Sequence, residues 1–143
     1  MNILLVEDNP GDVRLTEEAL KEGDFYHELE LNVVTDGDDA LQYLNRVGKY
    51  SDITLPDIIF LDLNLPKRDG REVLAEIKQN PILKMIPVVV LTTSEAEQDI
   101  LNSYELHANC YITKPVDINR FIDVIKSIEN FWFHVVKLPS MKH

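Results

Sequence analysis

The sequence predicts an α/β fold, a doubly wound domain built on a five-stranded parallel sheet. Short apolar runs alternate along the chain with longer helical patterns. Some of the runs are nearly continuous in hydrophobicity, which is typical of parallel strands that helices cover on both faces. Strand–helix units in series favour a parallel sheet, because each right-handed crossover returns the chain to the same sheet.

The predicted strands are short and mostly rich in β-branched residues. They are NILLV, LELNVVT, DIIFLD, PVVVLT and NCYIT, at residues 2–6, 29–35, 57–62, 87–92 and 109–113. Among the common strand orders, the flavodoxin-like order 2-1-3-4-5 suits five strands best.

Helical patterns fill the intervals between the strands and follow the last one. They span about residues 12–24, 37–47, 70–79, 95–106 and 117–133. Asp36 is placed to cap the second helix, and Gly23 is placed to end the first. We expect one domain over residues 1–133, followed by a C-terminal extension over residues 134–143.

Composition and charge indicate a cytoplasmic protein. Hydrophobic residues make up 45% and charged residues 27%, as in ordinary globular domains. The single cysteine excludes an intramolecular disulfide. The net charge of −11 argues against binding to nucleic acid or anionic lipid. The apolar runs are too short to span a bilayer, and the N-terminus lacks the basic region of a secretory signal.

Polar residues stand where the predicted strands end. Glu7 and Asp8 follow strand one, Asp62 ends strand three, Thr92 ends strand four, and Lys114 follows strand five. In the order 2-1-3-4-5 these four strands are neighbours, so their carboxyl ends meet at the edge where such sheets bind ligands. We therefore expect three carboxylates, a hydroxyl and an ammonium group to gather there.

Three clustered carboxylates repel one another, and either protonation or a divalent cation must offset that repulsion. Mg²⁺ suits a site with one or two direct carboxylates, and the backbone carbonyl of Asn64 could add a ligand. The hydroxyl and ammonium groups would then face anionic oxygens. Together these groups describe a phosphoryl site with Asp62 as the nucleophile.

The sequence closely resembles the receiver domain of bacterial two-component response regulators over nearly its whole length. The matching motifs appear in order and with family-like spacing. They are LLVEDNP, IIFLDLNLPKRDG, VVVLTTS and CYITKP, at residues 4–10, 58–70, 88–94 and 110–115.

The resemblance implies that Asp62 accepts a phosphoryl group from a histidine kinase or a phosphotransfer protein in an Mg²⁺-dependent reaction. Asp8 would bind Mg²⁺ directly, Glu7 would act more through water, and Asn64 would contribute its carbonyl. Many family members begin with two aspartates, and this chain has Glu7 at the first of those positions. The family members are phosphoacceptors rather than enzymes in the usual sense.

The resemblance also implies roles at the fourth and fifth strands. Thr92 would hydrogen-bond the phosphoryl group, and Lys114 would pair with it after a cis peptide bond before Pro115. Tyr111 would change rotamer together with Thr92, although an isolated aromatic at that position would otherwise be read as a packing residue. Helix four, strand five and helix five would form the face that changes, and a homodimer could form through this face and the C-terminal extension.

Two longer segments resemble the single-domain response regulators that serve bacterial phytochrome kinases. They are NSYELHANCYITKP and NFWFHVVKLP, at residues 102–115 and 130–139. The resemblance implies such a kinase as the partner. We expect the output to be binding to another protein, onward phosphoryl transfer or a change in self-association.

An apolar stripe on the last predicted helix suggests an interface. Its members repeat with seam-like spacing, and Trp132 flanks them. They include Val124, Ile128, Phe131 and Val135. We expect a homodimer interface or a kinase-docking surface there, unless these residues fold back on the domain.

Two other functions compete with this interpretation. An Mg²⁺-dependent phosphohydrolase with Asp62 as nucleophile usually needs an acid two residues later, where this chain has Asn64. A flavin-binding electron carrier would need a Ser/Thr/Gly-rich phosphate loop after strand one. This chain has EDNPGD at residues 7–12 instead.

Overall fold

A computed structural model describes residues 2–21, 29–92, 110–113, 123 and 126–127 of the chain. The strands are β1 Asn2–Val6, β2 Glu30–Val34, β3 Ile58–Asp62, β4 Val88–Thr92 and β5 Cys110–Thr113. The helices are α1 Pro10–Lys21, α2 Gly37–Leu44 and α3 Gly70–Gln79, with short 3₁₀ helices at Gly48–Tyr50 and Leu83–Met85. Residues 123, 126 and 127 are helical, within the range predicted for the last helix.

The five strands form one parallel sheet in the order β2-β1-β3-β4-β5. The predicted fold class and strand order are therefore confirmed. Val6 pairs with Leu61, Asp62 pairs with Leu91, and Thr92 pairs with Thr113. These pairings bring the carboxyl ends of β1, β3, β4 and β5 to the same edge of the sheet.

One hydrophobic cluster lies between the sheet and the helices α2 and α3. Every residue of β3 is buried, and so are the last four residues of β1. Helices α2 and α3 contribute apolar side chains to the same cluster. These contributions include Ala40, Leu41, Leu44, Val73, Leu74 and Ile77. The continuous hydrophobicity of β3 thus reflects burial on both of its faces.

The first helix begins two residues earlier than predicted. The Asn9 side chain accepts hydrogen bonds from the amides of Gly11 and Asp12, at 2.8 and 3.1 Å. Asn9 therefore acts as an N-cap, and Pro10 takes the first helical position, where its missing N–H costs nothing. The Asn-Pro pair was a readable signal for this start. The predicted end at Gly23 lies outside the described residues.

The second helix begins as predicted and ends early. Asp36 caps it by accepting a hydrogen bond from the Asp39 amide at 2.7 Å. It ends at Leu44 rather than at residue 47, because Asn45 forms the C-cap and Arg46 turns into the left-handed region at φ 55°. The third helix matches its prediction at both ends, and the fourth lies outside the described residues.

Within the described ranges, the helices are too short or too polar to cross a membrane.

Candidate functional site

Three acidic side chains meet at the carboxyl edge of the sheet, as the strand order predicts. One carboxylate oxygen from each of Glu7, Asp8 and Asp62 lies within 4.8 Å of the others. Glu7 and Asp62 are only 0% and 3% exposed, whereas Asp8 is exposed. The cluster is therefore two buried acids with one acid at its solvent side.

This geometry fits a small divalent cation. Two oxygens on opposite sides of Mg²⁺ lie about 4.2 Å apart, because each metal–oxygen bond is about 2.1 Å. The separation of up to 4.8 Å allows such an ion after a contraction of a few tenths of an ångström, or with one acid acting through water. An all-carboxylate donor set also matches the oxygen preference of hard cations.

Glu7 is held by the continuation of the β1–β2 ladder. Its amide donates to the Val34 carbonyl at 3.0 Å, one residue past the end of β1. Its Oε2 accepts a hydrogen bond from the backbone amide of Asn9 at 3.2 Å. The backbone and carboxylate of Glu7 are therefore both fixed where the chain turns into α1.

Asp62 is fixed by its strand and by the start of the following loop. It pairs with Leu91 of β4, and its Oδ1 accepts a hydrogen bond from the backbone amide of Asn64 at 3.0 Å. This bond orients the carboxylate and gives its two oxygens different surroundings. Asn64 thus lies beside the cluster, and the role of its carbonyl stays a prediction.

Helix α3 begins directly against the backbone of Asp62. The Gly70 amide donates to the Leu63 carbonyl at 3.0 Å. A Cβ atom added at Gly70 would overlap the backbone carbonyl of Asp62 and the Cα of Leu63. The glycine of the motif is therefore required by close backbone approach.

The loop between β3 and α3 contains a tight turn that the sequence did not reveal. The Arg68 amide donates to the Pro66 carbonyl at 2.7 Å, and Lys67 between them has φ 65°. This is a γ-turn with its central residue in the left-handed region, a rare and strained conformation. Lys67 and Arg68 also form ion pairs with α2. The basic pair at 67–68 and the acidic run at 36–39 were the signals available in the sequence.

The remaining predicted site residues are described only in part. Thr92 and Tyr111 lie in β4 and β5 as predicted, and the Thr92–Thr113 pairing brings the ends of these strands together. The roles of their side chains stay predictions. The predictions for Lys114 and Pro115 lie outside the described residues. The same holds for the apolar stripe, Val124, Ile128, Phe131, Trp132 and Val135.

Comparison with known proteins gives the family. The family model for the response regulator receiver domain matches residues 3–126. Response regulator Rcp1 from Synechocystis sp. (strain ATCC 27184 / PCC 6803 / Kazusa) is 53% identical over 138 residues. The match covers 96% of this chain and 92% of Rcp1.

Two solved structures share the fold across nearly their whole length. The phosphorylated cyanobacterial phytochrome response regulator RcpA has a TM-score of 0.83 and 52% identity, covering 97% of this chain and 98% of RcpA. The Mn²⁺-bound form of response regulator Rcp1 has a TM-score of 0.82 and 52% identity, and the match covers 97% of this chain and 99% of Rcp1.

These matches decide between the competing functions. The family model spans residues 3–126, which include the acidic cluster, and it describes a receiver domain rather than a phosphohydrolase or a flavin carrier. The family has an acidic divalent-cation site, and one solved relative binds Mn²⁺. The chain belongs to the response regulator receiver family and is a phosphoacceptor of two-component signalling rather than an enzyme in the usual sense.

Proposed function

We propose that Asp62 is the phosphoacceptor and that Mg²⁺ assists the transfer. The observation that carries this proposal is the convergence of the Glu7, Asp8 and Asp62 carboxylates within 4.8 Å, with Asp62 buried at the end of a central strand. A nucleophile needs a fixed position, and strand β3 supplies it because both neighbouring strands pair with it.

The reaction is a phosphoryl transfer between two side chains. A carboxylate oxygen of Asp62 forms a bond to phosphorus while the phosphorus–nitrogen bond to the donor histidine breaks, and the imidazole keeps that electron pair. The product is an acyl phosphate on Asp62. The backbone amide of Asn64 donates a hydrogen bond to Asp62 Oδ1 and so restricts rotation of the carboxylate. This restriction limits the geometries from which the carboxylate attacks phosphorus.

Glu7, Asp8, Asp62 and the Asn64 carbonyl are the groups that would hold the ion. When bound, Mg²⁺ offsets the charge of the carboxylates and of the phosphoryl oxygens. Asp8 is exposed and lies at the solvent side of the site, whereas Glu7 is buried at its inner side. We propose that Asp8 is a direct ligand and that Glu7 acts more through water.

Thr92 and Lys114 are proposed to contact the phosphoryl group. The Thr92–Thr113 pairing supports this role, because Lys114 directly follows Thr113 in the chain. A cis peptide bond before Pro115 would aim the lysine. Tyr111 would rotate when Thr92 moves, and the face of helix four, strand five and helix five would then change its protein contacts.

The proposed donor is a histidine kinase of the bacterial phytochrome type, in the cytoplasm. The support is the similarity to RcpA, a cyanobacterial phytochrome response regulator. An autophosphorylated phytochrome kinase should transfer its label to the wild-type chain and not to the variant Asp62→Asn. If the kinase keeps its label in the presence of the wild-type chain as well as the variant, the proposed partner is wrong.

The apolar stripe of the last predicted helix remains a proposed interface, either with a second copy or with the kinase. Replacing Phe131 and Val135 with Asp should leave the fold intact and change either the solution mass or the kinase affinity. If neither quantity changes, the interface proposal is wrong.

The phosphoacceptor is tested by mass. After incubation with phosphoramidate and Mg²⁺, the intact protein should gain about 80 Da in a base-labile form, as an acyl phosphate does. Asp62→Asn should abolish the adduct. Asp57→Asn is the matched control, because Asp57 is a buried acid that directly precedes the opposite end of the same strand. An adduct that persists in Asp62→Asn would place the phosphoryl group elsewhere.

A further inference from the structure

Two adjacent basic residues of the β3–α3 loop form ion pairs with acids at the start of α2. Lys67 Nζ lies 3.5 Å from Oδ2 of Asp36, the N-cap of α2. Arg68 Nε donates to Oδ1 of Asp38 at 2.9 Å. We call these four residues the α2 clamp. The loop that it holds begins at Asp62 and carries Asn64.

The backbones of the loop and α2 are also in contact. The Gly37 amide donates to the Pro66 carbonyl at 3.4 Å, and this carbonyl also closes the γ-turn. A Cβ atom at Gly37 would overlap the Arg68 carbonyl, so α2 and the loop have no room for a side chain between them. A lysine at φ 65° is disfavoured by itself, and such a conformation persists only where surrounding contacts hold it.

Arg68 joins the loop to α3 as well. Its Nη1 lies 3.3 Å from Glu76 and 3.6 Å from Glu72, both on α3. One guanidinium group therefore connects the loop to acids on two helices. Because the loop is short and begins at the nucleophile, contacts at residues 67 and 68 restrict the backbone of residue 64.

We propose that Lys67 and Arg68 are positioning residues for the cation site, acting through the loop backbone that carries the Asn64 carbonyl. This inference rests on the proposed function. It assigns these residues a task beyond that of ordinary surface ion pairs, which contribute little to stability. In this role they contact neither the ion nor the phosphoryl group, and they set where the carbonyl of residue 64 lies.

The sign of the effect separates positioning from simple electrostatics. Lys67 and Arg68 are positive, and the chain already carries a net charge of −11. Replacing either cation with Gln makes the protein more negative, so Coulomb attraction alone predicts tighter binding of Mg²⁺. Loss of positioning predicts weaker binding of Mg²⁺. The two explanations therefore predict opposite changes in the same dissociation constant.

The test measures the Mg²⁺ dissociation constant of the full chain by titration calorimetry. Lys67→Gln and Arg68→Gln should each weaken binding, by about tenfold for a residue that orients a ligand. Lys84→Gln is the matched control, since it removes the same charge at an exposed position in the 3₁₀ helix Leu83–Met85. It should leave binding unchanged or slightly tighter. Arg68→Lys keeps the charge and should recover part of the lost affinity.

A second readout separates positioning from loss of structure. At saturating Mg²⁺, the Gln variants should accept phosphoryl from phosphoramidate at close to the wild-type rate, because their nucleophile is intact. If both variants bind Mg²⁺ as tightly as wild type, or more tightly, the positioning role is overturned while the proposed function stands. If the wild-type chain itself takes up no Mg²⁺, the proposed function fails, and this inference fails with it.

Discussion

Replacing Asp62 with Asn should stabilise the metal-free protein, although it removes the proposed nucleophile. In the folded chain, Asp62 lies beside the buried carboxylate of Glu7 and the exposed carboxylate of Asp8. Unfolding separates these charges. The change keeps the size of the side chain, and its amide oxygen can still accept the hydrogen bond from the Asn64 amide.

The structure sets the size of the effect. The carboxylate oxygens lie within 4.8 Å of one another. Two unit charges at that limit repel by about 3 kcal/mol at an effective dielectric constant near 20 and by about 1 kcal/mol in water. The first figure applies to the buried Glu7 and the second to the exposed Asp8. Each charge is spread over two oxygens and is screened by salt. We therefore expect the free energy of unfolding to rise by about 1–3 kcal/mol.

Urea unfolding in EDTA at low salt and neutral pH measures this change. Asp57→Asn is the control, because Asp57 Oδ2 accepts a hydrogen bond from the Asn2 amide at 2.8 Å at the start of β3. The control should lower the free energy of unfolding by about 1 kcal/mol, through a weakened charge-assisted hydrogen bond. If Asp62→Asn destabilises the protein as Asp57→Asn does, the repulsion argument is wrong.

Magnesium at ten times its dissociation constant should raise the wild-type free energy of unfolding by about 1.4 kcal/mol and leave Asp62→Asn nearly unchanged, in the same urea titrations. Gly70→Ala should lower it by about 1–3 kcal/mol, because the new methyl group overlaps a backbone carbonyl. A methyl group at Gly11 would meet only the movable Asn9 side chain, so Gly11→Ala should lower the free energy of unfolding by less. Equal decreases in the two variants would refute the argument from backbone contact at Gly70. Burial and the hydrogen bond to Asp39 raise the pKa of Tyr50 above 10.0, so its contribution to stability is complete below that pH and is lost as the pH rises through the folded value. Tyr50→Phe should reduce the alkaline loss of stability, and an identical pH profile would contradict this.

Much of the fold was readable because local pattern and burial agree. The run NILLV predicts β1 at its observed ends, and DIIFLD predicts β3 except for Asp57, whose side chain instead bonds to the start of β1. The acidic cluster was predictable because parallel strands bring their carboxyl ends together. A strand order and three strand-end acids were sufficient for that inference.

The charges of the α2 clamp are visible in the sequence, but their pairing was not predicted, for a physical reason. Lys67 and Arg68 read as ordinary loop residues, and their partners Asp36 and Asp38 lie about thirty positions earlier. Only the packed arrangement of α2 against the loop brings them together. The left-handed conformation of Lys67 is likewise imposed by tertiary contacts, since no glycine or asparagine marks it.

The complete burial of β3 has a consequence for how a signal would leave Asp62, the proposed phosphoacceptor. Amides of a strand with partners on both sides exchange with deuterium mainly when the domain opens as a whole, so those of Phe60 and Leu61 should be among the slowest in the chain. If Asp62 carries the acyl phosphate as proposed, its strand stays fixed during signalling, and the segments beyond the sheet edge must carry the response.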